Sequence, residues 1–446
     1  MISSTALLIL MLLKPAFSLY FLVFAVFTRV SLKTMELAGI PVLPVLFAVS
    51  GLFLAAWNIS AGTLKPANLR SFESRLLSLF FLFYLSCGLI NAGWNRDTVS
   101  ITYYLAANFL LVQLILLFAD RLEVLENIFM AACLGGSFAA VVGICQYLAS
   151  WQHPVQQYGL RAAGWWQNPG DFAMILSVAY LVSFYFVNSR SRLRRLAAYF
   201  TQCTVLPGIL LSLTRAGLIL VLLITALNCR AFLKKNCYPA ALAITCFILS
   251  CLFFRSEDWW TGIIGKVDFE RLAPPHFAGA FENRLDLAGA GLFIFARNPL
   301  FGTGFGNLLP ACGNQFGTEV YPHNIYVSMT AESGIFTLMY YLVLLCYLLA
   351  TIAGTCSRNN EMRNTLKNFL IVLAVMGFFN HQLLFEKHIA IFLACIPAFC
   401  RLNRPEAGKN SADGGETCAH SHDPVPFSSR DRRRGNTGQA NGRTSV

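Results

Sequence analysis

Charge is what this sequence has least of. Asp, Glu, Lys and Arg together make up 13% of its 446 residues, while 56% are hydrophobic. A soluble domain carries roughly a quarter charged residues, and the charge here is too sparse to cover a soluble protein of this size. The fourteen cysteines contain no CxxC pair, so nothing points to zinc or redox chemistry. Six of them (Cys87, Cys133, Cys145, Cys246, Cys346, Cys395) lie inside apolar runs, where cysteine behaves as a small hydrophobe. Only Cys312 falls in the long extramembrane loop identified below, which leaves no disulfide framework there. The opening stretch, "MISSTALLILMLLKPAFSLYFLVFAVFTRV", lacks a charged leading region and a clear small-residue cleavage site. It reads as a first span rather than a removed signal peptide, beginning near Pro15 with the first dozen residues at the cytoplasmic interface.

What is abundant is apolar sequence in long runs. Stretches such as "LAANFLLVQLILLFA" and "AALAITCFILSCLFF" recur along most of the chain, and mean hydropathy is +0.57. Runs near 18–20 residues with few charges are candidate transmembrane helices. The expected fold class is an all-α polytopic membrane protein with about twelve spans. They are placed near 8–30, 37–57, 76–93, 101–118, 124–148, 169–187, 196–213, 216–233, 237–254, 326–353, 366–381 and 385–402. One large loop, 255–323, separates spans nine and ten.

Orientation follows from basic residues in the short loops. The side holding the N-terminus carries Lys65, Arg70, Arg75, Arg121, Arg190, Arg192, Arg194, Arg195, Arg230, Lys234, Lys235, Arg358, Arg363 and Lys367. The other side carries Arg29, Lys33, Arg96, Arg161, Arg215 and Lys387. The positive-inside rule makes the first side cytoplasmic, so both termini are expected inside and the large loop outside. From 403 onward the chain is polar and rich in Gly, Ser and Arg. It cannot bury a core and is expected to be a disordered basic cytoplasmic tail, its "RDRRR" cluster resting near anionic headgroups. The net charge of +12 therefore reports topology, and no nucleic-acid partner is expected.

Ionisable groups at the membrane edge are costly and mark functional sites by default. Four positions stand out on the outer side. Arg215, in "LLSLTRAGLILVLL", sits at a turn with almost no loop, either snorkelling to headgroups or facing the bundle. Arg161, in "YGLRAAGWWQNPGDFAMIL", is either an interface anchor beside a tryptophan belt or a ligand. Arg284 lies in "FENRLDLAGAGLFIFARNPLFG", where 282–297 suits a helix lying on the membrane, ended by Asn298, Pro299 and Gly302. His323 and Asn324, in "TEVYPHNIYV", stand before an apolar run; there Asn324 is a candidate cap with His323 a bystander or a catalytic group.

Three outer arginines and a histidine suit an anionic substrate. Arginine binds phosphate bidentately and stays charged, and histidine exchanges a proton near neutral pH. A phosphate ester or pyrophosphate leaving group, with an acceptor hydroxyl deprotonated by histidine, would use this set. The glycines of "GTGFGN" (Gly302, Gly304, Gly306) follow no strand and face outward, so a nicotinamide site is rejected; they let the backbone turn tightly. No Asp-x-Asp pair occurs in the outer loop, and the acidic candidates (Glu257, Asp258, Asp268, Glu270, Glu319, Glu332) are scattered, which favours a metal-independent mechanism. His381 and His388 flank the last outer turn, on the same side as His323; an interfacial role is expected of them ahead of a place in the site.

The segments "RAAGWWQNPGDFAMIL", "LSLTRAGLILVLL", "ENRLDLAGAGLFIFARNPLFGTGFGN" and "YPHNIYVSMTAESGIFTLMYYL", in that order, resemble the O-antigen ligase and polymerase superfamily of bacterial inner membranes. The resemblance covers roughly residues 160–350. It implies transfer of a glycan from a polyprenyl-diphosphate donor to a hydroxyl acceptor on the periplasmic face, without a cofactor. Ligases use lipid A-core as acceptor, polymerases another repeat unit, and protein O-oligosaccharyltransferases a serine or threonine. Arg215 and Arg284 match arginines expected to hold the diphosphate, and His323 a histidine expected to act on the acceptor hydroxyl. Arg161 matches the arginine of the first outer motif; it is placed in substrate binding together with Asn324 and the three glycines. The chain departs from the family where "RLDLAGAG" lacks a common tryptophan and "QNPGDFA" has Gly-Asp in place of a common Asn. The rival from another class is a polysaccharide flippase or secondary transporter. It would share the spans and the basic cavity, but no repeat of one half in the other is visible.

Overall fold

The computed structural model describes residues 15–28, 36–37, 40–41, 66–93, 95–149, 161–166, 168–232, 274–316, 321–357, 359–380 and 383–404. Thirteen α-helices lie among them. They are α1 (Pro15–Thr28), α2 (Phe72–Ile90), α3 (Arg96–Phe118), α4 (Leu122–Leu148), α5 (Pro169–Val187), α6 (Arg192–Leu211) and α7 (Arg215–Phe232). After them come α8 (Pro274–Arg297), α9 (Leu308–Phe316), α10 (Ile325–Ser333), α11 (Ile335–Gly354), α12 (Asn360–Met376) and α13 (Lys387–Leu402). Five of these, α2, α3, α4, α5 and α11, are long and apolar enough to cross a membrane.

Helix starts follow from side chains that can accept an orphan amide. Asn95 Oδ1 accepts from the Thr98 amide at 2.8 Å, Asn168 Oδ1 from Gly170 at 2.8 Å, and Asn359 Oδ1 from Met362 at 3.0 Å. Pro169 sits in the first turn of α5, where its missing N–H costs nothing. Between helices, lipid and side chains are equally apolar, so close packing and polar contacts fix the neighbours. Asn108 Nδ2 donates to the Leu384 carbonyl at 2.8 Å, Ser137 Oγ to Thr201 Oγ1 at 2.9 Å and Gln202 Nε2 to Ser183 Oγ at 3.1 Å. Phe80, Phe129, Phe172 and Phe392 are fully buried between the helices.

The connections gather at two ends. At one end Asn359 Nδ2 donates to Tyr185 Oη at 2.8 Å, Ser357 Oγ to Asn403 Oδ1 at 2.7 Å, and Arg401 Nη1 to the Asn68 carbonyl at 2.6 Å. Arg194 pairs with Glu126 and Arg404 with Glu73 at this same end. At the other end the turns after α2, α6, α8 and α12 meet, and all four sequence-singled groups lie there.

Two expectations need correcting. The span placed at 326–353 is two helices, α10 of nine residues and α11, broken at Gly334 with φ 84°. The carbonyls of Ala331 and Glu332 accept the Thr303 and Gly304 amides (2.8 and 2.9 Å), and Ile335 donates to the Pro299 carbonyl at 2.9 Å. An inserted loop thus takes the hydrogen bonds that would continue the helix. His388 is not interfacial: it is 1% exposed, with its ring edge-on to Phe27 at 6.0 Å. At the second expected span, 37–57, Glu36–Leu37 and Ile40–Pro41 pair as a two-residue antiparallel ladder. The remainder of that span, the ninth span, the loop through 273, His381 and the tail from 405 lie outside the described residues.

Candidate functional site

The site begins at the turn between α6 and α7. Ser212 Oγ donates to the Ile209 carbonyl at 2.6 Å and lies 2.9 Å from Thr214 Oγ1, which donates to the Pro169 carbonyl at 3.3 Å. Leu213 between them has φ 50°, a left-handed conformation that a leucine occupies only under constraint. Arg161 supplies part of that constraint. Its Nε donates to the Ser212 carbonyl at 2.8 Å, and its Nη2 donates to the Leu213 carbonyl at 3.2 Å and to Thr214 Oγ1 at 3.3 Å. Directly after this turn comes Arg215, half-buried, as the first residue of α7. Its charge adds to the positive end of the helix dipole.

Helix α8 brings the second arginine. At Gly291 an added Cβ would lie 2.4 Å from Val327 Cγ1, so α8 and α10 approach closely there. About two turns earlier stands Arg284, its guanidinium 6.0 Å from the Phe379 ring centroid. Loss of water around the guanidinium, and then the positive charge of Arg215, lower its pKa from the usual guanidinium value. Each positive charge disfavours the other, and an anion bound beside them favours both. Arg297, on the same helix, is not part of this group: it lies over Phe293 at 4.8 Å.

His323 completes the set. It is half-buried and has φ 47°. Leu213 and His323 are the two non-glycine residues with positive φ among those described. The chain is pinned after His323: Asn324 Oδ1 accepts from the Tyr326 and Val327 amides at 3.0 and 3.3 Å, and Ile325 donates to the Gly377 carbonyl at 2.8 Å. Asn324 is therefore the helix cap that its residue type suggested, and the cap fixes the residue before it. Burial first, and then the charge of Arg284, lower the His323 pKa below the ordinary imidazole value. Both effects favour the neutral ring, the form that accepts a proton.

The glycines do something else. Gly302, Gly304 and Gly306 all have positive φ, and an added Cβ would lie 2.4 Å from Glu332 C, 2.3 Å from Asn91 C and 2.5 Å from Asn95 Oδ1. Asn91 Nδ2 donates to the Gly302 carbonyl at 2.8 Å and Thr98 Oγ1 to the Phe305 carbonyl at 2.7 Å. The glycine segment is a clasp threaded between the α2–α3 turn and the α10–α11 break. Sequence reading missed Asn91, Thr98 and Phe379, which reach the site from more than fifty residues away; only contact in space reveals them. Asp171, noted in the sequence only as part of a departure from the family, accepts at Oδ1 from Asn380 Nδ2 at 3.2 Å and ties α5 to the turn after α12.

Compared with known proteins, residues 171–342 match the family model described as O-antigen ligase. That range holds Arg215, Arg284, the glycine clasp and His323, and starts ten residues after Arg161. A comparison with curated proteins found no match.

Proposed function

We propose, for a chain whose residues 171–342 are an O-antigen ligase domain and place it in the O-antigen ligase superfamily, that it moves a glycan from a polyprenyl-diphosphate donor to a hydroxyl of lipid A-core at the periplasmic face. What supports this reading is that Arg215 at the strained turn opening α7, Arg284 beside Phe379 and His323 ahead of the Asn324 cap gather at one end of the bundle. Arg215 and Arg284 hold the diphosphate. They stabilise the negative charge that grows on the diphosphate as it leaves, and so favour the transition state over the resting complex. His323 takes the proton of the acceptor hydroxyl. That oxygen bonds to the anomeric carbon as the bond from carbon to diphosphate breaks, and the electron pair departs on the diphosphate. Attack from the face opposite the leaving group inverts the anomeric configuration. Two arginines neutralise the leaving charge without a metal ion. About twelve spans, with both termini in the cytoplasm and the clasp and α8 outside, would place these groups where lipid-linked glycans are presented.

A deletion strain tests the reading by its glycan profile. Full-length glycan absent from lipid A-core, with lipid-linked donor accumulating on the outer leaflet, is the expected result. Donor retained on the inner leaflet identifies a flippase instead.

A further inference from the structure

Arg161 invites the role of a third phosphate ligand, but its contacts assign it another task. Leu213 lies two residues before Arg215, is buried, and has φ 50°. In that region the Cβ crowds the following carbonyl, so a leucine remains there only where its surroundings hold the backbone. The holding groups come from Arg161 and Ala162, which lie far from this turn in sequence. Arg161 donates through Nε to the Ser212 carbonyl and through Nη2 to the Leu213 carbonyl and Thr214 Oγ1, at 2.8, 3.2 and 3.3 Å. The next amide, Ala162, donates to the Leu211 carbonyl at 3.0 Å. A planar guanidinium presents its donors as a fixed fork, and this fork spans the three residues that lead into Arg215.

We propose that Arg161 is a positioning residue that clamps the strained Ser212–Thr214 turn and so aims Arg215 at the anionic substrate. The inference rests on the reading of Arg215 as a diphosphate ligand. A phosphate ligand would need only its positive charge near the diphosphate. A clamp needs the fork, and it becomes dispensable once the turn is no longer strained.

The test measures binding of undecaprenyl diphosphate to the full-length protein in lipid nanodiscs. The variants are R161Q, R161K, L213G, R215A and the doubles L213G/R161Q and L213G/R161K. Glycine adopts positive φ without strain, so L213G lets the turn hold itself. R161Q and R161K are both expected to weaken binding about tenfold or more, since a displaced ligand side chain is costly. In the L213G background the same substitutions are expected to cost less than about threefold, at a level near L213G alone. Wild-type binding by R161K, or an undiminished deficit in the L213G background, overturns the clamp. R161K with its double carries the comparison even where R161Q accumulates poorly. R215A binding as tightly as wild type would remove the diphosphate-ligand reading itself, a result separate from failure of the clamp.

Discussion

In the proposed reaction the chemistry turns on His323, whose backbone and ring are both set by their surroundings. A non-glycine residue at φ 47° stores strain that the surrounding structure must hold, a condition common at working sites. The ring pKa is lowered by burial and by Arg284. Acidification therefore protonates His323 only below the ordinary imidazole range, and transfer is expected to fall as pH drops through that depressed value. In R284Q one of the two lowering causes is gone, so the His323 pKa should rise. NMR titration of the imidazole reads this directly; a pKa that stays put or falls would separate the two groups. The residue types here were legible in sequence, because arginine and histidine at an apolar edge demand explanation. Their convergence was not, since Arg215 and His323 are linked only through folding.

At the scale of elements, the cap and the break matter most. Asn324 caps α10 through two amides, a contact worth about 1 kcal/mol, and holds His323 in place. N324A is expected to lose both some stability and much of the transfer activity. N324S, which caps equally well, should keep both, as thermal unfolding in detergent and a transfer assay will report; equal loss in the two variants would point to direct substrate contact by the amide. The α10–α11 break depends on Gly334, whose Cβ would lie 2.0 Å from the Leu300 carbonyl oxygen. G334A combines that clash with positive φ, and is expected to destabilise by more than about 1 kcal/mol. Helix positions were the legible part: α5 runs from Pro169 to Val187, the bounds hydropathy gives. The break at Gly334 was illegible, because averaging over an apolar window hides one reversed φ. The loop that takes over the hydrogen bonds starts some thirty residues earlier.

For the whole molecule, the two hydrogen-bonded ends are the organising fact. Tyr185, Asn359, Asn403 and Arg401 gather at one, and Arg161, the clasp, α8 and His323 at the other. Orientation in the bilayer comes from the basic loops alone. A green fluorescent protein fused after Arg404 should fluoresce, while alkaline phosphatase fused after Phe316 should be active; the reverse pattern would place the site in the cytoplasm. The central claim, that the outer end transfers glycan with His323 as base, is tested most directly by H323A expressed in the deletion strain. Membrane insertion and yield should match wild type, while transfer falls at least about a hundredfold and lipid-linked glycan accumulates. Wild-type transfer by H323A would contradict the account.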